Sequence, residues 1–223
     1  AVDQNQTSQE LQLNYSGNRL NAVAGLYYLK EKVTSHQESY NDDLTANLVL
    51  SPLWDGDYTF TRFIDDRLHT TSKAAFANLS YDVTENLRLS GGIRYTEEKK
   101  DYNRFTYVES DSPYLVSQYG FAPPQGKWDD TSIMLSADYQ LSPDAMVYAR
   151  YAQGFKSGGF NGRANSGSEA TRYDPETADT FEVGAKTTFM DRRLRLNLAS
   201  FFTKYKDFQA RVSGMEIDPN TGV

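Results

Sequence analysis

The chain contains no cysteine, so a disulfide framework, a thiolate metal centre and a thiol nucleophile are all excluded. Histidine is nearly absent. His36 and His69 are too few and too isolated to form a metal cluster, and solvated positions in a loop or at a strand end are expected for both. No run approaches the roughly 18 apolar residues of a membrane helix, which excludes helical spans and nothing else. No glycine-rich phosphate loop follows a strand and opens a helix, because the glycines between Gly154 and Gly162 lack the helix that mechanism needs. The net charge of −7 argues against nucleic acid, which selects a basic stripe.

Aromatic residues are plentiful, with 16 Tyr and 12 Phe, and they sit in a pattern of period two. From Leu87 to Thr96, Leu87, Leu89, Gly91, Ile93 and Tyr95 alternate with Arg88, Ser90, Gly92, Arg94 and Thr96. Such alternation marks a strand with one apolar and one polar face, and about ten residues suffice for a tilted strand to cross a hydrocarbon core. The preceding segment puts Ala75, Ala77, Leu79 and Tyr81 on one face, with Phe76 breaking the rule on the other. The same alternation recurs in Thr131 to Tyr139 and Val147 to Tyr151, in Phe181 to Phe189 and Leu194 to Phe202, and more weakly in Leu11 to Tyr15 and Leu20 to Tyr28.

Short turns join these segments in pairs: Ser16-Gly17-Asn18, Asp82 to Asn86, Leu141 to Asp144 and Met190-Asp191-Arg192. The expected architecture is all-β and antiparallel, about eight strands in four hairpins over about 8–30, 70–98, 129–157 and 177–211, with long loops over about 32–69, 101–127 and 158–176. Tight turns at one end and long loops at the other are the signature of a transmembrane β-barrel, whose averaged hydropathy stays low because only alternate residues face lipid. A soluble antiparallel sandwich would share the alternation but not that asymmetry. The chain starts without a charged or apolar leader and ends in loop-like sequence, so it is expected to be a stretch of a longer protein.

The segment Val147-Tyr148-Ala149-Arg150-Tyr151-Ala152-Gln153-Gly154-Phe155-Lys156-Ser157-Gly158-Gly159-Phe160-Asn161 closely resembles a strand-and-loop motif of TonB-dependent outer-membrane receptors. Tyr173-Asp174-Pro175-Glu176 followed by Phe181-Glu182-Val183-Gly184-Ala185-Lys186 is similar to a further strand of that family, and Leu194 to Gln209 to the one after it. Gly91 to Tyr95 and Val23 to Tyr28 are similar to earlier barrel strands. The resemblance implies a barrel of about 22 strands blocked by an N-terminal plug, of which this chain would be a plug-less part of the wall. It further implies a transporter in the outer membrane, in contact with its lipid, importing a scarce bulky nutrient. A ferric siderophore complex is the foremost expectation, with energy from the inner-membrane TonB complex acting through the absent N-terminal region.

No catalytic, cofactor or metal residue is expected, since a siderophore already saturates its iron. The rival expectation is a small self-contained outer-membrane barrel, structural or hydrolytic, in which only His36 or His69 beside Asp65 or Asp66 could serve as a base. Ligand contact is expected from loop aromatics and lumenal cations, chiefly Arg94, Tyr102, Phe105, Tyr107, Arg150 and Lys156. Further aromatic candidates are Trp54, Tyr58, Phe60, Phe63, Tyr114, Tyr119 and Phe121. Arg94, Arg150, Arg193 and Arg195, with Glu182 and Lys186, share the face expected to line the lumen, where they either pair with one another and the plug or attract an anionic ligand. Asp42-Asp43, Asp55-Gly56-Asp57, Asp65-Asp66 and Asp129-Asp130 lack the spacing of a calcium loop and are expected to be solvated. Gly158 and Gly159 are expected to supply positive φ where the strand turns into a loop.

Overall fold

The computed structural model describes residues 1–41, 60–110, 118–123, 125–162, 171–191 and 193–210. Eight long strands form one antiparallel sheet: β1 (Val2–Ser16), β2 (Leu20–Asn41), β3 (Phe60–Asp82), β4 (Leu87–Ser110), β6 (Gly126–Ser142), β7 (Ala145–Lys156), β10 (Glu176–Phe189) and β11 (Leu194–Lys206). They follow one another in sequence order across the sheet, with the short β5 (Gln118–Phe121) paired to β4. A separate two-residue ribbon, β8 (Gly159–Phe160) with β9 (Arg172–Tyr173), lies between β7 and β10 in the sequence. The sheet is open, its outer edges being β1 and β11.

Register explains why the sheet has two unlike faces. One row across the strands reads Tyr15, Ala22, Leu79, Gly91, Leu135, Tyr151, Phe181 and Phe202. The next residue of each strand gives Asn14, Val23, Asn78, Gly92, Met134, Ala152, Thr180 and Thr203 on the other face. Leu13, Leu26, Ile93, Leu135 and Val183 are all more than half exposed. An apolar face uncovered across eight strands fits a solvent that is itself apolar.

The strands reach much further than the alternation predicts. β2 continues to Asn41 and β3 begins at Phe60, inside the stretch expected as loop at 32–69, and β4 continues to Ser110, inside the one expected at 101–127. At about 3.3 Å per residue, the 24 residues of β4 extend roughly 80 Å, against the ~25 Å apolar band of a barrel. Backbone pairing persists where both faces are polar, as in Lys30↔Thr71 and Thr71↔Lys99. Period two in hydropathy therefore reports where one face of a strand is apolar, not where the strand ends.

Turn chemistry sets the other end. Thr84 Oγ1 accepts from the backbone N–H of Asn86 (3.2 Å) and of Leu87 (3.0 Å). At the last turn Met190 and Asp191 both have φ near 53°, the left-handed conformation that matches the twist of a tight hairpin. Adjacent turns are tied by Asp82 N–H to Arg19 O, Gln140 N–H to Asn86 O and Thr188 N–H to Asp144 O, each 2.8 Å.

Candidate functional site

Among the described residues the apolar core is small and lies on the polar face, near the end away from the tight turns. It consists of Tyr102, Trp128 and Phe160, with Leu68 and Phe155 packed against them. Phe160 comes from the segment that leaves β7, so residues 157–162 fold back over the polar face of β3, β4 and β6. Its ring stacks on Tyr102 (5.9 Å, 15°) and meets Trp128 edge-on (5.9 Å, 70°). Lys100 and Arg172 each stand 5.7 Å from the Trp128 ring.

Two cations fasten this segment. Lys100 Nζ donates to Ser157 Oγ (2.7 Å) and Gly158 O (2.8 Å) while pairing with Glu98 at 2.9 Å; Ser157 Oγ also donates to Glu98. Arg104 forms a two-pronged pair with Asp66, Nε to Oδ1 and Nη2 to Oδ2 both at 2.7 Å, and Nη2 also reaches Gly162 O at 2.7 Å. The Arg104 side chain is 4% exposed. Tyr102 donates to the same carboxylate at 2.7 Å, and burial, followed by that hydrogen bond to Asp66, pushes its phenol well above the ordinary range. Asp66 is thus a part-buried hub rather than the solvated charge expected of it.

Gly158 and Gly159 are needed for space, not for the positive φ expected of them. A Cβ on Gly158 would run into the Tyr173 carbonyl and the Trp128 indole, and one on Gly159 into the Tyr173 ring. Neither glycine has φ in the left-handed region. The nearest non-glycine residue with such a backbone is Asp207, at φ 53°.

Beside the folded-back segment opens a cleft of about 810 Å³, lined by Lys156, Phe160, Tyr173, Asp174, Asp207 and Phe208 among others. Gln209 closes its floor, its side-chain amide donating to Ser157 O (3.1 Å) and Asp174 O (3.0 Å) and its backbone N–H to Glu176 Oε2 (3.0 Å). Lys156 is 65% exposed, with Glu176 3.8 Å away. The cleft offers three aromatic side chains, one accessible ammonium and two carboxylates.

The six residues singled out in the sequence do not form one group. Lys156 lines the cleft, and Tyr102 lies beneath the neighbouring segment. Arg94 is on the same face, nearer the tight turns, 5.5 Å from the Tyr27 ring and 5.7 Å from the Phe76 ring, with Thr96 Oγ1 at 3.1 Å. Arg150 also faces that side, 3.1 Å from the Met134 sulfur. Phe105 and Tyr107 fall on the opposite face of β4, where Tyr107 stacks on Phe63 (4.6 Å, 11°). Trp54, Tyr58 and Tyr114, with Asp42, Asp43, Asp55 and Asp57, lie outside the described residues, as do the side chains of Phe60, Tyr119 and Phe121.

Glu182 and Lys186 are linked through one ring, Tyr148, which donates to Glu182 (2.7 Å) and lies under Lys186 Nζ (5.4 Å). Of the two positions expected for His36, a loop or a strand end, it takes the second, its side chain 39% exposed. It sits in β2 between Asp65 (2.6 Å) and Glu38 (2.9 Å), and hydrogen bonds to Asp65 first and Glu38 second raise its pKa. Reasoning from sequence passed over Lys100, Arg104 and Trp128, and took Asp66 for a solvated charge and Gln209 for the end of a strand. Only the motif around Gly158-Gly159-Phe160 signalled that this neighbourhood was special.

The family model described as TonB dependent receptor-like, beta-barrel matches residues 2–222. The chain is 30% identical over 160 residues to the pesticin receptor of Yersinia enterocolitica, covering 69% of this chain and 22% of that protein. It is 23% identical over 206 residues to the ferric-pyoverdine 358 receptor of Pseudomonas putida, covering 90% of this chain and 23% of that protein. The chain therefore spans about a fifth to a quarter of these relatives. The crystal structure of the ferric yersiniabactin uptake receptor from Yersinia pestis superposes with a TM-score of 0.58 at 20% identity, over 93% of this chain and 37% of that one.

Proposed function

Because the chain belongs to the TonB-dependent receptor β-barrel family, we propose that it is part of the wall of an outer-membrane receptor that imports a ferric siderophore. Its tight turns then face the periplasm, its long strands project outside the cell, and its polar face lines the lumen. The observation that carries this reading is the two-faced sheet: apolar side chains are exposed on one side, while the other holds charges and a segment folded back towards the interior. Relatives of this chain that are named for a ferric siderophore support the choice of ligand.

A siderophore brings its iron fully coordinated, so the protein has to supply shape, aromatic surface and charge rather than donor atoms. The cleft beside residues 157–162 has that character, with Phe160, Tyr173 and Phe208 as faces and Lys156 as a cation for an anionic complex. Arg94 and Arg150 would be met deeper in the lumen. The energy is supplied by the inner-membrane TonB complex, acting through parts of the receptor that lie outside this chain. The work is transport rather than catalysis.

The test is radioiron uptake by iron-starved cells carrying the full-length receptor with Lys156→Glu and Tyr173→Ala combined. Uptake of the cognate ferric complex should fall at least about tenfold, roughly 1.4 kcal/mol of lost binding, with unchanged receptor levels in the membrane. Undiminished uptake and affinity would remove the cleft from the ligand path.

A further inference from the structure

The rows of outward-facing residues change character abruptly. On the face that carries the exposed apolar side chains, the row Leu26, Ala75, Tyr95 and Thr131 is followed two residues further along each strand by Tyr28, Lys73, Glu97 and Asp129. After that come Lys30, Thr71, Lys99 and Lys127, then Lys32, His69 and Asp101. Five lysines from four adjacent strands thus stand within three rows, on the outside of a chain whose net charge is −7. Against them in these rows are only Glu97, Asp101 and Asp129.

Glu97 is held between Lys127 (2.8 Å) and Lys99 (3.8 Å). Lys30, Lys32 and Lys73 are exposed, and Lys73 stands opposite Glu97 across the strand pair. Rows on one face of a strand are spaced by about 7 Å and neighbouring strands by about 4.8 Å, so Lys73, Lys99 and Lys127 surround an area the size of a sugar phosphate or two. Tyr28 and Tyr95 mark the level at which apolar surface gives way to headgroups. A cationic patch immediately outside that level meets whatever anions the outer leaflet presents.

We propose that Lys30, Lys73, Lys99 and Lys127 form a binding site on the outside of the barrel for the phosphate groups of an outer-leaflet lipid headgroup. The site rests on the membrane-barrel reading above, because only that reading puts the patch at the headgroup level. Lys30 supplies an exposed ammonium group, while the single carboxylate of Glu97 is shared by Lys73, Lys99 and Lys127 and cannot neutralise all three. Lys32 and His69 border the site on the side away from the membrane.

The experiment uses the full-length receptor in detergent, with diphosphoryl lipid A, its dephosphorylated form and inorganic phosphate as probes, read by native mass spectrometry. Diphosphoryl lipid A should bind at least about tenfold more tightly than the dephosphorylated form. In the Lys73→Gln, Lys99→Gln, Lys127→Gln triple variant that preference should vanish, each lysine near a charged surface contributing roughly fivefold. The single variant Lys204→Gln, on a distant strand, should leave the preference unchanged. Equal binding of the two lipid forms, or a triple variant that keeps the preference, overturns the proposal. So does competition by inorganic phosphate as effective as that by the lipid, which would make this a free-anion site. Failure of the receptor to fractionate with the outer membrane would instead overturn the reading on which the site depends.

Discussion

Arg104 and Asp66 show how much a single pair can hold. Their carboxylate and guanidinium are 16% and 4% exposed, they sit 38 residues apart in sequence, and they anchor both Tyr102 and the carbonyl of Gly162. Removing one member of a buried pair strands the other, at a cost of about 3–5 kcal/mol. Arg104→Ala should therefore lower the urea midpoint of the full-length receptor and expose the segment after Lys156 to limited proteolysis. An unchanged cleavage pattern would mean that Arg104 does not hold that segment. The pair was invisible in the sequence because nothing local links the two positions; the cross-strand register brings them together.

His36 makes a pH-dependent contribution of known sign. Asp65 and Glu38 favour its protonated form in the fold and raise its pKa. The stabilisation is therefore complete below the unfolded value of about 6.5 and is lost as pH rises through the higher folded value. Amide exchange at the tips of β2 and β3 should accelerate across that window, beyond its ordinary base dependence, and His36→Gln should abolish the extra step. The sequence suggested His36 beside Asp65 only as a possible base in the rival barrel and did not single out Glu38.

For the strands, the predictive signal was good and its limits are physical. Where a strand crosses lipid, alternate residues must be apolar, so Leu87 to Tyr95 and Thr131 to Tyr139 could be assigned to faces residue by residue. Beyond the lipid no such demand exists, and the outer halves of β2, β3 and β4 passed for loops. Substitutions on the two faces of β10 should separate accordingly. Val183→Arg, at a position 58% exposed on the apolar face, should cost about 2–4 kcal/mol. Thr180→Lys, on the polar face beside Thr203, should cost under about 1 kcal/mol. Folding into lipid vesicles at graded urea measures both, and equal penalties would contradict the assignment of faces.

Across the whole molecule, the folded-back segment is the part that family motif and geometry both single out, yet its fastening residues come from strands distant in sequence. Long-range closure of this kind is where reading a chain linearly runs out. The sheet also has two outer edges, β1 with 15 residues and β11 with 13. Unpaired edges of that length recruit other strands. The 223-residue chain refolded alone in detergent should therefore run as oligomers in size-exclusion chromatography, whereas the full-length receptor should run as a single species. A stable monomer of the isolated chain would show that the edges pair with each other.

The overreach of β2, β3 and β4 has a mechanical side. About 14 of the residues of β4 lie past Thr96, roughly 45 Å of strand, hydrogen-bonded to β3 without a break. A ribbon so braced behaves as a mast: it tilts as a unit and carries no joint at which to bow over the opening. In the receptor proposed above, visitors from outside would meet the masthead first and the mouth second, and a tug on the tip would be felt at the foot.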